Sequence, residues 1–311
     1  MYKYILKRLL MMIPVLLGVS LIGFLLIYIS PGDAVDSIVA QGGVYSEEDV
    51  MKLREEFGLD QPFLVQYYNY VKGIVTEFDF GTDYLTKRPV TSEILERFPT
   101  TLILACLGVL VAVIIGIPAG IISATKQYSL FDNIVTPISL IGVSMPGFWL
   151  GLLLIIAFSV KLGWLPASGF YGPEYWILPS ITIGTSAAAF IMRMTRSSML
   201  EVIRQDYITT AEAKGQTELK IIIFHALKNA LIPVITTIGI QFGHLLGGAV
   251  LTESIFAVPG VGKMMVDAIK ARNYPVVQGG VLMVALTFSL VNLAVDILYA
   301  FVDPRIRSQY K

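Results

Sequence analysis

The main pattern along the chain is a series of six long apolar runs separated by polar segments. An α-helix rises about 1.5 Å per residue, so roughly 20 apolar residues reach across the hydrocarbon core of a bilayer. The runs therefore predict an all-α polytopic membrane protein with six transmembrane helices. We expect these helices at Leu9–Ile29, Leu102–Ala124, Ile134–Val160, Ile177–Met192, Leu231–Thr252 and Val276–Val302.

The third run is the one that the sequence predicts to be broken. A straight helix over all of Ile134–Val160 would be longer than the bilayer core is thick, and Pro146 lies inside it, followed by Gly147. Proline removes a backbone donor and bends a helix. We expect a tilt or a break at Pro146, which is either an ordinary kink or a flexible element beside a pore. Arg193 and Arg196, at the end of the fourth run, are expected to extend towards the membrane surface.

Lysine and arginine predict the orientation of the spans, because these residues are enriched in cytoplasmic loops. Basic residues flank both ends of the chain, at Lys3, Lys7, Arg8, Arg305, Arg307 and Lys311. We therefore expect a multi-pass protein of the prokaryotic cytoplasmic membrane with both termini cytoplasmic. The segment 30–98, which holds more than half of the 23 acidic residues, is then extracytoplasmic.

Helix signals inside segment 30–98 predict a folded loop. Ser46 precedes three acidic residues, as at a helix N-cap, and Glu48 and Lys52 are four residues apart. Gly58 is placed to end this helix, and a second helix is expected to start at Pro62. That helix would place apolar side chains at helical spacing, so it needs a surface to pack against: Phe63, Tyr67, Tyr70 and Ile74.

The connection from Glu201 to Lys228 is polar and is predicted to be helical. Gly215 divides it, and Thr217 is placed to cap a second short helix. Two short helices joined by a glycine are more elaborate than a linker needs. We interpret the connection as a docking element.

Polar and small residues within the spans are candidates for a pathway or for helix packing. Gln241 and His244 share one helix face, as do Asn292 and Asp296. They either pack in the bundle or line a pathway, and for Asp296 pairing with a basic group near the membrane surface is the favoured alternative. Glycines at every fourth position form a predicted packing face: Gly239, Gly243 and Gly247.

Composition excludes several classes of protein. Charged residues make up 15% and hydrophobic residues 55% of the chain, with a mean hydropathy of +0.71, whereas soluble domains carry about 25% charged residues. The net charge is zero, so nothing indicates a nucleic-acid partner. One cysteine, Cys106, and two histidines make a metal site improbable. The chain has no P-loop and no hydrolytic motif, so we expect no catalytic site and no bound cofactor.

Several segments resemble one known family, the permease subunits of dipeptide/oligopeptide ABC importers, which also includes nickel permeases. The resemblance extends over nearly the whole chain. It rests on residues 30–33 (SPGD), 58–62 (GLDQP), 78–81 (FDFG), 146–151 (PGFWLG), 206–215 (DYITTAEAKG), 225–233 (HALKNALIP), 259–262 (PGVG), 274–279 (YPVVQG) and 303–305 (DPR).

The resemblance implies a type I ABC importer permease, with residues 1–29 as flank and first span and 30–98 as the outer loop. Residues 99–302 would form a five-helix core containing the coupling (EAA) loop 197–230, and 303–311 a cytoplasmic tail. The loop would dock on ATP-binding subunits through Thr209, Thr210, Ala211, Glu212, Ala213, Lys214, Gly215, His225 and Lys228. Gly215 and Ala211 match the family motif, whereas Thr209, Thr210, His225 and Lys228 depart from it.

The implied partners are a second homologous permease, two ATP-binding subunits that hold ATP and Mg, and an extracytoplasmic solute-binding protein. The implied cargo is a dipeptide or oligopeptide, with nickel or another metal chelate as the alternative within the family. An autonomous secondary transporter or channel is the alternative outside it. That class would call for internal repeats and more intramembrane charge than this chain shows. A membrane enzyme is the remaining alternative, and it lacks a catalytic cluster.

Overall fold

The structure is a computed structural model that describes residues 2–40 and 45–302. The predicted tail 303–311 and its basic residues lie outside these ranges. Within the described ranges the chain is helical, and an isolated β-bridge joins Thr82 to Pro89. The helices are α1 Tyr2–Ile29, α2 Ala34–Ala40, α3 Glu47–Glu56, α4 Phe63–Glu77, α5 Val90–Thr125, α6 Leu130–Ser144, α7 Gly147–Leu154, α8 Ile177–Ile203, α9 Asp206–Ala213, α10 Glu218–Lys220, α11 Lys228–Ile255, α12 Val261–Lys270 and α13 Tyr274–Val302.

Among the described residues, five helices are long and apolar enough to cross a membrane, or six if one bent pair counts as a span. The bent pair is α6 with α7 and the π-helical turn Ile155–Lys161 that follows, and it bends by 106°. The bend occurs at Met145 and Pro146. Met145 is extended (φ −77°, ψ 123°), which is the conformation that a following proline favours. The predicted break is confirmed, and the third span is not one straight helix.

Several helices are longer than the apolar runs that predicted them. α5 begins at Val90 rather than at Leu102, and α8 continues to Ile203 rather than ending at Met192. The added turns contain charged residues, so hydropathy does not detect them, although their backbone continues the same helix. The apolar run marks the stretch suited to lipid, and the helix extends past it.

The described residues form two compact units. The first, called here the core unit, contains residues 2–5, 102–258 and 290–302. The second, the loop unit, contains residues 6–40, 45–101 and 259–289. The sequence predicted a division into flank with first span, outer loop, five-helix core and tail. That division stays a prediction.

Close approach of α5 and α8 organises the core unit. An added Cβ at Gly116 would lie 2.7 Å from the Ala188 carbonyl oxygen, and one at Gly120 would lie 2.6 Å from that of Met192. Only glycine fits backbone packed this tightly, as in small-residue helix interfaces in membranes. Around this contact lies a buried apolar cluster whose members include Leu104, Ala112, Ile183, Ile191, Leu245 and Ala249.

The loop unit confirms the helix signals of segment 30–98. Ser46 caps α3, with reciprocal hydrogen bonds between Ser46 and Asp49. Hydrogen bonds from the Ser46 hydroxyl and N–H hold the pKa of Asp49 below its ordinary value. Glu48 and Lys52 form the expected ion pair at 2.8 Å, and Gly58 ends the helix at φ +65°.

The surface that α4 requires is supplied by α1. The Phe63 ring lies 5.3 Å from the Phe24 ring and 5.0 Å from the Tyr28 ring, both edge-on. The Tyr67 ring lies 5.6 Å from Phe24. Such pairs add about 0.5–1.5 kcal/mol each beyond the area that they bury. α4 is therefore held on α1 by aromatic side chains.

Candidate functional site

A cleft of about 750 Å³ opens in the core unit between the bend at Pro146, α8 and α11. A volume of this size is typical of small-molecule sites. α8 contributes Thr182, Ile183, Ser186 and Phe190, and α11 contributes Thr237, Ile240, Gln241, His244, Leu245, Gly248, Leu251 and Thr252. Pro146, Gly147 and Phe148 complete the lining. The broken helix thus forms one wall of the cleft.

The cleft brings together three of the five candidate pathway residues. Pro146, Gln241 and His244 line it, as their positions on the bend and on one face of α11 allow. Asn292 and Asp296 do not line it. Both residues are half-buried on α13. A pathway role for them stays a prediction.

The lining of the cleft is mostly apolar, and no aspartate, glutamate, lysine or arginine lies in it. Its polar side chains are hydroxyls, one amide and one imidazole, interspersed with aliphatic residues and the aromatic rings of Phe148 and Phe190. Hydroxyl and amide groups both donate and accept hydrogen bonds. Such a surface can exchange hydrogen bonds with peptide groups without fixing the charge or shape of a ligand.

The three glycines of the predicted packing face have different surroundings. An added Cβ at Gly239 would clash with Val295 of α13, so α11 and α13 approach closely there. Gly243 is buried. Gly247 has no atom of this chain within 4 Å of an added Cβ, so a packing role for it stays a prediction. Another helix of this chain therefore contacts α11 at Gly239, whereas the space beside Gly247 is empty in this chain.

The connection between α8 and α11 is the second part of the site, and Gly215 determines its shape. Gly215 has φ +74°, and its N–H donates to the Glu212 carbonyl oxygen at 2.8 Å. The Gln216 N–H donates to the Ala211 carbonyl oxygen at 3.3 Å. These bonds form a Schellman motif that ends α9. The predicted division at Gly215 is confirmed, with a defined backbone conformation.

After Gly215 the structure differs from the expectation of a second separate short helix. Glu218–Ile255 is one continuous helix of 38 residues, comprising α10, the π-helical turn Ile221–Leu227 and α11. Thr217 precedes it in an extended conformation, but its side chain makes no capping hydrogen bond. The connection therefore leads directly into the helix that carries Gln241 and His244.

A buried apolar cluster holds the connection against the ends of α5 and α8. Ile208 and Ala211 of α9 are buried with Met199 of α8 and Ala124 of α5. Ile221, Ala226 and Ala230 complete the cluster. Because both halves of the connection share one cluster, they are held together as a unit.

Polar contacts across the turn support the same arrangement. The His225 ring and the Gln216 amide share a hydrogen bond of 2.8 Å between Nε2 and Oε1. The Asn229 amide donates to the Tyr207 hydroxyl at 2.9 Å. His225, a departure from the family motif, thus holds Gln216 against the helix that follows Gly215, and the Asn229–Tyr207 bond joins the two sides of Gly215.

The outer surface of the connection is exposed. It carries Thr209, Thr210, Glu212, Ala213, Lys214 and Lys228 of the predicted docking set, whereas Ala211 is buried and His225 is half-buried. Exposed apolar side chains lie beside these polar groups, at Leu219, Ile223 and Phe224. The predicted residues therefore divide into an outward-facing set and an inward-facing set that holds the fold.

Sequence reasoning missed one polar cluster in the core unit. Arg196, expected to extend towards the membrane surface, donates from Nη2 to Asp132 Oδ2 at 2.8 Å and from Nε to Oδ1 at 2.9 Å. The Asp132 carboxylate also accepts from the hydroxyls of Ser123 and Thr136 and from the Tyr128 N–H. The signal in the sequence was limited to the Ser129–Asp132 helix-start pattern, which locates the carboxylate but not its partner.

Two protein families match this chain. Residues 116–308 match the family described as binding-protein-dependent transport system inner membrane component. Residues 1–105 match the N-terminal family of the membrane component of these systems. Together the two matches extend over nearly the whole chain.

Individual relatives are similar over their full length. The dipeptide transport system permease protein DppB of Alkalihalophilus pseudofirmus is 44% identical over 99% of this chain and 100% of its own. The glutathione transport system permease protein GsiC of Escherichia coli K12 is 44% identical over 99% of both chains. DppB of Escherichia coli K12 is 42% identical over the same shares.

Solved structures confirm the predicted fold class, a helical permease of the type I ABC importer architecture. The inward-facing MetNI methionine ABC transporter aligns with a TM-score of 0.56 at 20% identity, over 68% of this chain and 97% of that chain. An amino acid ABC transporter with histidines aligns at 0.52 and 14% identity, over 69% and 94%. The chain is a multi-pass membrane protein and belongs to the family of inner membrane components of binding-protein-dependent transport systems, among the permease subunits of ABC importers.

Proposed function

We propose that this chain translocates dipeptides or oligopeptides as one permease subunit of an ATP-driven importer. Its family supports the transport role, and the dipeptide and glutathione permeases that resemble it over their full length support a peptide cargo. A second permease, two ATP-binding subunits holding ATP and Mg, and an extracytoplasmic binding protein complete the proposed assembly.

The connection between α8 and α11 is the observation that carries the proposal. Its exposed outer face is where the ATP-binding subunits dock, and its buried face is fixed by Ile208 and Ala211. Because 218–255 is one continuous helix, a displacement of the connection moves the α11 wall of the cleft. ATP shifts the assembly only if it binds one arrangement of the subunits better than the other.

The cleft is half of the proposed pathway. It is open in this chain, and the second permease would supply the facing wall. Its lining, which contains hydroxyl and amide groups but no aspartate, glutamate, lysine or arginine, suits peptides of varied side chains, because hydrogen bonds to the peptide backbone are common to all of them. Substrate choice would then depend mainly on the binding protein.

The orientation follows from the docking role. ATP-binding subunits are cytoplasmic, so the connection with Arg204, Lys214, Lys220 and Lys228 would face the cytoplasm. Both termini would lie on the same side, and the acidic segment 30–98 on the other. These four lysine and arginine residues agree with the rule that cytoplasmic loops are rich in lysine and arginine, a rule that does not count acidic residues.

The alternatives have less support. The relatives named above carry peptide names, and the described residues contain no group of three histidine, cysteine, aspartate or glutamate side chains placed to hold a metal ion. Nickel transport therefore has no supporting observation. An autonomous carrier does not agree with membership of a family that works with a binding protein.

Replacing an exposed residue of α9 tests the docking role. Ala213→Trp adds bulk to the outer face without entering the buried cluster. We expect the variant to insert normally but to lose the ATP-binding subunits when the tagged chain is purified in mild detergent. Met51→Trp, which places the same exposed indole ring on α3, is the control and should retain them.

Two results would count against the docking role. One is full recovery of ATP-binding subunits with Ala213→Trp, confirmed with Thr209→Trp. The other is equal loss of these subunits with Met51→Trp, which would indicate a general effect of surface bulk.

A further inference from the structure

The apolar side of α4 is wider than the part of it that α1 covers. At about 100° per residue, Leu64, Tyr68 and Val75 lie within one narrow arc of the helix, adjoining the arc that faces α1. Their side chains are 73%, 65% and 76% exposed. A folded helix of a soluble segment seldom leaves so continuous an apolar stripe in water.

The polar side of α4 faces a cavity. Gln66 and Asn69 line a space of about 510 Å³ in the loop unit, together with Ile27 of α1. This cavity occupies one flank of the contact between α1 and α4. The exposed apolar arc of α4 therefore lies on the opposite flank.

α1 also exposes an apolar arc on that opposite flank. With Phe24 facing α4 and Ile27 facing the cavity, helical register places Leu21 and Leu25 on the other side, and both are exposed. The apolar arcs of α1 and α4 thus adjoin each other. Because α1 is a membrane span by length and composition, its exposed arc is a lipid-facing surface.

The depth of α4 along α1 agrees with this arrangement. The Tyr67 hydroxyl donates to the Leu17 carbonyl oxygen at 3.2 Å and lies 2.9 Å from the Ser20 hydroxyl. Ser20 precedes the end of α1 at Ile29 by about 13 Å of helix rise. α4 therefore lies beside the terminal turns of the span rather than beyond its end.

We propose that α4 is an interfacial helix whose Leu64, Tyr68 and Val75 side chains lie in the lipid bilayer at the Ile29 end of α1. Amphipathic helices with an apolar face and an opposing polar face lie in this zone, and tyrosine is enriched there. The inference is independent of the transported cargo. It changes the expectation for segment 30–98, which is then partly a membrane-contacting element.

Site-directed spin labelling tests the proposal. In a Cys106→Ser background, Leu64→Cys and Tyr68→Cys are labelled separately in the chain purified with its accompanying subunits and placed in nanodiscs. Collision rates with molecular oxygen, which concentrates in lipid, are compared with those of a water-soluble nickel chelate. Leu26→Cys of α1 is the lipid-exposed reference, and Asn69→Cys on the polar side of α4 is the matched control.

We expect spin labels at positions 64 and 68 to collide more often with oxygen than with the nickel chelate, as the label at position 26 does. The label at position 69 should collide more often with the chelate. Chelate preference at 64 and 68 would place this face in water and overturn the proposal. Immobilised labels at 64 and 68 that neither reagent reaches would show coverage by another subunit and would also overturn it. Elution of the Cys106→Ser parent and its labelled variants as one monodisperse species with the same accompanying subunits establishes that the protein is folded.

Discussion

Arg196 of α8 and Asp132 of α6 form an ion pair with two hydrogen bonds, although the two residues are 64 positions apart in the sequence. The Asp132 side chain is only 4% exposed and that of Arg196 is 24% exposed. A hydrogen-bonded carboxylate at this depth connects the start of the bent third span to the helix that precedes the connection. The pair therefore joins α6, which leads to the bend at Pro146, to the end of α8 that leads into the connection.

Removing one partner of this pair should destabilise the fold. We expect Arg196→Met to lower the free energy of unfolding by about 3 kcal/mol, because Asp132 would remain buried without its cation. The double variant Asp132→Leu/Arg196→Met should lose clearly less than the sum of the two single variants. Unfolding in mixed SDS micelles measures this coupling.

The exposed pair Glu48–Lys52 is the matched control for this experiment. Lys52→Met should leave the unfolding curve nearly unchanged, since exposed ion pairs contribute little. Simple additivity of the Asp132 and Arg196 variants would contradict a coupled pair.

The contact between α5 and α8 should be sensitive to a single methyl group. Gly120→Ala places its Cβ 2.6 Å from the Met192 carbonyl oxygen, so the helices must separate. We expect a loss of about 1–3 kcal/mol of stability, as for an overpacked core. Gly18→Ala in α1 meets no atom within 4 Å and should be neutral or slightly stabilising. Equal effects at the two positions, by the same unfolding assay, would contradict close helix contact.

The left-handed conformation of Gly215 should determine coupling. Gly215→Val introduces a β-branched residue at φ +74°, where an L-residue costs about 1–2 kcal/mol or more. Gly215→Asn should retain function, because asparagine tolerates this region. No atom lies within 4 Å of an added Cβ, so strain rather than a clash distinguishes the two variants.

Peptide-stimulated ATP hydrolysis by the reconstituted complex is the readout for Gly215. Reduced stimulation with valine and near-normal stimulation with asparagine are the expected results. Loss with both residues would indicate that glycine is needed for contact with a partner instead of for its backbone conformation.

Two neighbouring glycines test the pathway. Gly248 lines the cleft and Gly247 does not, and neither has an atom within 4 Å of an added Cβ. We expect Gly248→Leu to reduce peptide uptake at least about tenfold, an effect of roughly 1.4 kcal/mol, because its side chain enters the cleft. Gly247→Leu should retain more uptake. Normal uptake with Gly248→Leu would remove the cleft from the pathway.

The sequence predicted the features that depend on local chemistry. Apolar runs located the spans, Ser46 and Gly58 located the ends of α3, and Gly215 located the turn of the connection. Each of these depends on residues within one or two helical turns, so the chain itself carries the information.

Features that depend on distant residues were not predictable in this way. The Arg196–Asp132 pair joins two helices, and nothing near Arg196 distinguishes it from an arginine that extends to the surface. A proline predicts a bend at 146 but not an angle of 106°, which depends on the packing of the two arms. Gln241 and His244 shared a face by periodicity, but only the fold places them beside Pro146.

ATP-driven uptake of a labelled dipeptide is the most direct test of the proposed function. The complex purified through this chain is placed in proteoliposomes with its binding protein outside and ATP inside. We expect uptake that requires ATP and that falls when Gly215 is replaced by proline. Uptake by the chain alone, driven by an ion gradient, or ATP-dependent uptake of nickel without uptake of peptide, would contradict the proposal.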